Sequence, residues 1–146
     1  MKERMVHHAT FIVEKTYPLS PRQVFEAWAD PKAKARWFMK ADEFDFRIGG
    51  REIGRGGPPK GPIYTFTSHF QDIVPNQRII FSHTLDLGET RISVSLTTVE
   101  FKSTKTGTKL IFTEQGAYLD GLETPEQREL GTKEMLDTLE QTLLHE

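Results

Sequence analysis

The chain has 146 residues, no cysteine and a formal charge of −2 at neutral pH. That length suits one domain, residues 1–146, burying about two-thirds of its unfolded surface around a proper core without staples. The missing cysteines exclude disulfides, thiolate metal sites and cysteine nucleophiles and fit a reducing, cytoplasmic setting, while the mixed charges lack the one-sided basic surplus of a nucleic-acid binder.

The amino-terminal MKERMVHHATFIVEK has early basic residues but no apolar stretch of signal-peptide length. Residues 9–17 alternate Phe11, Val13 and Tyr17 against Thr10, Glu14 and Thr16, the period of a half-buried strand. Next comes a well-punctuated helix start: Ser20 as N-cap, Pro21 in the first turn, Gln23 closing a capping box, and Leu19 with Val24 spaced as a hydrophobic staple. These signals predict a helix from Pro21 to Ala29. Asp30-Pro31 repeats the cap-plus-proline device and predicts a second short helix running toward Trp37.

From Phe44 to Gly116 the pattern is strand-like. Short strands are expected over Glu43–Ile48 and Arg51–Arg55, split by Gly49-Gly50, followed by a glycine- and proline-rich loop over Gly54–Pro62. Four longer strands, Ile63–Val74, Arg78–Leu87, Thr90–Lys102 and Thr108–Gln115, are separated by turns short enough for consecutive hairpins, hence an antiparallel meander. In the third of these, Ile92, Val94 and Leu96 share one parity and Val99 and Phe101 the other. A bulge near Thr97-Thr98 would put all five on one face. No apolar run is long enough to cross a bilayer.

Thr124, Pro125 and Gln127 open a long final helix with a second capping box. Arg128, Thr132, Met135, Leu139 and Leu143 form one stripe along it, flanked by Leu136. The second half of the stripe is bulky and apolar, whereas the first offers Arg128, Gly131 and Thr132, which would leave space beneath the helix. The order of elements thus predicts an α+β fold in which a curved antiparallel sheet grips one long helix, with a cavity between them.

These features resemble the START-like, or SRPBCC, superfamily with its helix-grip fold. Within it the chain is similar to the family related to the carboxy-terminal domain of the heat-shock-protein-ninety ATPase activator (AHSA-like). The residues that carry the resemblance run in order along essentially the whole chain. They begin with Tyr17-Pro18-Leu19-Ser20-Pro21-Arg22-Gln23-Val24-Phe25-Glu26-Ala27-Trp28, Asp30-Pro31 and Arg36-Trp37. Phe44-Asp45-Phe46-Arg47-Ile48-Gly49-Gly50, Ile73-Val74-Pro75, Arg78-Ile79-Ile80-Phe81, Val99-Glu100-Phe101 and Gly107-Thr108-Lys109-Leu110 follow, before the leucine-rich final helix. The resemblance implies about seven strands wrapped around the C-terminal helix, two short helices after strand 1, and diverse small apolar ligands. One departure stands out: members often carry Gly-Trp in the final helix where this chain reads Gly131-Thr132, a change expected to enlarge the cavity mouth or shift ligand preference.

The candidate ligand-facing residues are the aromatics Trp37, Phe38, Phe46, Tyr64, Phe66, Phe70, Phe81 and Phe112, with Phe44 and Phe101 in the same set, since such sites are lined mainly by apolar and aromatic side chains. Thr132 and Met135 would face them from the helix, and Tyr64, His83, Glu114 or Arg128 would orient a polar group. Glu114, two residues beyond Phe112, either points inward with it or ends in solvent. His69 and His83 are the one histidine pair on neighbouring strands, and hairpin register decides their relation. A two-residue turn at Asn76-Gln77 opposes Phe70 to His83, whereas a three-residue loop opposes His69 to His83. Even paired they lack the third ligand of a catalytic zinc site, so neither metal nor cofactor is expected. Arg47, Arg51, Arg55 and Lys60 form a loosely basic run. Arg47 either meets a ligand carboxylate or pairs with Asp45 or Glu43. Neither a phosphate loop nor a GxSxG serine nucleophile is present, and no catalytic constellation emerges.

Binding of a small hydrophobic or aromatic ligand in the cavity is therefore the expected function, without nucleic acid or membrane insertion. Two alternatives are a cyclase- or hydratase-type enzyme using the same cavity and a module regulating a chaperone ATPase. A chaperone or a second copy of the chain would be the protein partner.

Overall fold

The computed structural model describes residues 3–145. The elements are β1 (Val6–Tyr17), α1 (Pro21–Ala29), α2 (Pro31–Lys34), β2 (Ala41–Phe44), β3 (Arg51–Gly56), β4 (Tyr64–Val74), β5 (Arg78–Leu87), β6 (Thr90–Ser103), β7 (Thr108–Leu119) and α3 (Pro125–Leu144). The seven strands form one antiparallel sheet ordered β1-β7-β6-β5-β4-β3-β2. Its inner face wraps α3, which gives the helix-grip α+β architecture.

Both capping boxes form. Gln23 N donates to Ser20 Oγ at 3.2 Å while Ser20 N donates to Gln23 Oε1 at 3.0 Å, and Thr124 with Gln127 repeats the exchange at 3.1 and 2.9 Å. Each box satisfies two amide donors that a helix start leaves open. The second short helix ends at Lys34, short of Trp37. Beyond it the chain continues only in turns, since Trp37 folds back to donate from its indole to Ala27 O at 3.0 Å and meets Trp28 edge-on at 4.6 Å.

Strand β2 occupies Ala41–Phe44 rather than reaching Ile48. The chain turns there, with Arg47 N donating to Asp45 O and Gly50 N to Arg47 O. A side chain at Gly50 would sit 2.1 Å from Asp45 O, so the backbone approach requires glycine. At the other edge, β1 and β7 are longer than their alternation suggests, because they pair continuously from Val6↔Leu119 to Tyr17↔Thr108.

The irregularity in β6 falls elsewhere than at Thr97-Thr98. Register shifts between Leu85↔Ser93 and Asp86↔Arg91, leaving Ile92 as the extra residue, and pairing with β7 is uninterrupted from Ser93 to Ser103. Consequently Ser93, Ser95 and Thr97 face inward with Val99 and Phe101, while Val94 and Leu96 turn out to the exposed face. The apolar pattern misleads because this stretch of the inner face carries polar side chains beneath the helix, where Ser93 accepts from Arg128 and Thr97 donates to Glu114.

The core gathers Val13, Tyr17, Val24, Phe25, Trp28, Phe70, Ile79, Val99, Phe101 and Leu110 against Leu136 and Leu139 of α3. Leu136 is not peripheral to the stripe; it is fully buried, and its carbonyl accepts from Tyr17 OH at 3.3 Å. No helix among the described residues is long and apolar enough to cross a membrane.

Candidate functional site

A cavity of about 450 Å³ lies between the inner sheet and the first half of α3. The sheet contributes Tyr64 and Phe66 from β4, Phe81, His83 and Leu85 from β5, and Phe112 and Glu114 from β7. Trp28, Lys34, Trp37, Phe38 and Met39 close one side, and Gln127, Arg128, Gly131, Thr132 and Met135 of α3 form the roof. Tyr64 is 38 % exposed, so it stands at the rim, whereas Trp37, Phe66, Phe81 and Phe112 are buried. Phe46 and Phe70 lie outside the lining. They meet edge-on at 5.0 Å and pack with Phe25 and Phe44, sealing the core below the cavity.

Register decides the polar end. The hairpin between β4 and β5 uses the three-residue loop, Val74↔Arg78, but a bulge at Gln71 moves the pairing on by one. His83 therefore opposes Ser68, and His69 opposes Ser82 on the exposed outer face. Neither alternative read from the turn survives, because a bulge within the strand overrides the loop. The two histidines are apart, and no cluster of three or more metal-ligating side chains occurs among the described residues.

His83 instead joins a buried chain. Its Nε2 lies 2.8 Å from Thr97 Oγ1 and 3.3 Å from Glu114 Oε1. Thr97 donates to Glu114 Oε1 at 2.9 Å, and Arg128 Nη1 donates to Glu114 Oε2 at 2.9 Å. Arg128 also holds Glu123 at 2.6 and 3.0 Å and Ser93 Oγ at 2.5 Å, and its guanidinium lies over the Tyr118 ring. Glu114 thus points inward and its partners are internal. Burial, the largest influence on its carboxyl, pushes the pKa up, but His83, the Arg128 charge and the Thr97 hydroxyl together bring it below the ordinary glutamate range. It is an ionised acceptor. Burial would lower the Arg128 value, yet Glu123 and Glu114 raise it overall, so this cation is permanent. Burial pushes the Tyr118 phenol up to about 12, helped by the Glu114 charge.

A second buried ion pair escaped the sequence reading. Lys34 Nζ lies 2.6 Å from Glu52 Oε1, with the two side chains 7 % and 1 % exposed. The ammonium also lies 5.0 to 5.7 Å from the ring centres of Trp28, Phe38 and Phe44, within cation–π range. In the sequence Lys34 belongs to a charged, surface-like Pro-Lys-Ala-Lys turn; only its distant partner Glu52 shows that it points inward. Trp28, buried as part of α1, is likewise a wall of the cavity. Three members of the basic run are paired: Arg47 with Asp45 at 2.9 Å, Arg51 with Glu43 at 2.9 Å, and Arg55 with Asp42.

The site therefore has aromatic walls, one ion pair on the α2 side and a carboxylate–guanidinium–histidine chain toward β6 and β7. Two solved structures are similar over nearly their whole length. An uncharacterized protein from Rhizobium leguminosarum is 41 % identical with a TM-score of 0.93, covering 99 % of this chain and 100 % of that one. Protein Mll3558 from Rhizobium loti is 44 % identical with a TM-score of 0.90, covering 94 % and 99 %. DynU16, a protein in the dynemicin biosynthetic locus, shares the fold at 18 % identity and a TM-score of 0.70, with 92 % of this chain matching 46 % of that one. No curated protein matches the chain. The sequence profile described as activator of Hsp90 ATPase homolog 1-like protein matches residues 18–144. With its seven-stranded sheet closed around α3, the chain belongs to that family, of START-like (SRPBCC) fold.

Proposed function

We propose that this protein binds a small hydrophobic or aromatic molecule between its sheet and α3. The observation that carries the reading is the cavity of about 450 Å³ walled by Trp28, Trp37, Phe38, Phe66, Phe81 and Phe112. Small-molecule sites commonly span ~300–1,000 Å³ and combine apolar walls with few polar groups. Flat rings stack on such walls, and the half-exposed Tyr64 edge gives a route in.

Native mass spectrometry of protein freshly purified from its own host tests this. The expected result is an added mass that denaturation releases, absent from Thr132→Trp, which places a large ring in the roof. An empty protein that also gains no thermal stability from a panel of lipids and aromatic metabolites overturns the reading.

One observation favours a second reading, that of an enzyme moving a proton on a cavity-bound substrate. His83 and Glu114 are titratable groups 3.3 Å apart in the wall, within reach for general acid–base chemistry. Turnover of a bound compound that His83→Phe abolishes while binding persists would establish it; a ligand recovered unchanged after long incubation would remove it.

A further inference from the structure

Among the described residues the ring nitrogen Nδ1 of His83 has no hydrogen-bond partner, although the side chain is only 4 % exposed and its ring forms part of the cavity wall. Buried polar groups without partners cost free energy, so one placed against a cavity points to a ligand atom. Arg128 and Glu114 do not play that part, since every guanidinium nitrogen and both carboxylate oxygens already have a partner among each other, Glu123, Ser93 and Thr97.

The chemistry Nδ1 requires follows from its neighbours. Thr97 has one hydroxyl proton and gives it to the ionised Glu114, so its oxygen faces His83 as an acceptor. Nε2 meets only acceptors, Thr97 Oγ1 and Glu114 Oε1, and must carry the imidazole proton. With that proton on Nε2, the uncharged form of the ring presents a lone pair at Nδ1 that needs a donor. Ser68 and Ser95 flank His83 on the paired strands with unpartnered hydroxyls, but hydroxyls turn either way and specify neither role. Charge narrows the class further. Glu114 and Glu123 against Arg128 leave one net negative charge at this end of the cavity, which disfavours an anionic ligand.

Resting on the ligand-binding reading above, we propose that the cavity selects a neutral aromatic molecule bearing a phenol-type hydroxyl, which donates to His83 Nδ1. The nitrogen itself is almost wholly covered, with the Phe66 and Phe81 rings 5.0 and 5.3 Å from the imidazole, so these rings shift as the donor enters.

Three matched probes test it by calorimetry: 2-naphthol, 2-methoxynaphthalene, which keeps the rings but has no donor, and 2-naphthoate, which is anionic. The expected order is 2-naphthol tightest, the ether about tenfold weaker and the carboxylate weaker still. His83→Gln keeps a donor toward Thr97 but loses the Nδ1 acceptor and should bind naphthol and ether alike; His83→Asn, with an acceptor near Nδ1, should retain part of the preference. Long-range proton–nitrogen spectra of the unaltered protein supply a readout that needs no variant. They should show the Nε2-protonated tautomer and an Nδ1 signal that moves with 2-naphthol and not with the ether. Equal affinity for naphthol and ether, or a proton found on Nδ1 in the free protein, overturns this inference and leaves the binding reading standing. Failure of all three probes to bind counts against both.

Discussion

Between Leu136 and Leu143 helix α3 lies on the sheet through leucines, with Leu136 and Leu139 fully buried, whereas between Gln127 and Thr132 the same helix spans the cavity. One regular helix thus has a filled half and a hollow half, and side-chain size along a single stripe separates them. Buried polarity follows the same division. The buried ion pairs of Lys34 with Glu52 and of Arg128 with Glu114 border the hollow half. Beneath the leucines Tyr17 OH links the sheet to the helix backbone at Leu136 O, with Lys15 reaching Asp137 and Glu140 at the outer edge. Paired charge is tolerated where side chains do not fill the interior, and it shapes the space rather than adding much net stability.

Removing one partner of the α2-side pair breaks the hollow half most severely. Glu52→Gln leaves the Lys34 ammonium buried without a counter-charge and should cost about 3–5 kcal/mol in urea unfolding. Leu139→Ala carries hollowness into the filled half and should cost about 2–5 kcal/mol, because the void left behind adds to the lost burial. A smaller effect is expected for Glu114→Gln, about 1.5–3 kcal/mol at neutral pH, from the weakened bonds to Arg128, Thr97 and His83. Its pH dependence has a defined sign. The folded carboxyl titrates below its unfolded value, so its contribution is present above the ordinary glutamate range and disappears as pH falls through the folded value. The gap between the native protein and Glu114→Gln should therefore close on acidification, as read by unfolding at a series of pH values. The mildest change sharpens the contrast without disturbing it. A side chain at Gly131 would meet nothing within 4 Å, so Gly131→Ala should stabilise the protein by about 0.5–1 kcal/mol in thermal unfolding.

Local signals carried much of the architecture. Ser20 with Gln23 and Thr124 with Gln127 mark their helices because a capping box depends on residues three apart, and the alternation of Phe11, Val13 and Tyr17 marks β1 because a pleat repeats every two residues. The same reasoning failed on β6, where Val94 and Leu96 carry the apolar parity but face outward. Alternation identifies the core face only when the core is apolar along the whole strand, and here Ser93, Ser95 and Thr97 serve a polar end.

The amino-acid order was enough to place seven strands, two short helices and a long final one, and to indicate that small and polar residues in the first half of that helix leave room below. Folding in three dimensions settled the site. The extra residue Gln71 set Ser68 opposite His83, the unbroken pairing of β6 with β7 kept Ser95 and Thr97 on the inner face of Val99 and Phe101, and the approach of α2 to β3 joined Lys34 to Glu52 across 18 positions. Caps and pleats are decided by neighbours in sequence, but a bulge shifts every residue beyond it to the opposite face, and a buried charge is recognised only once its partner has come to meet it.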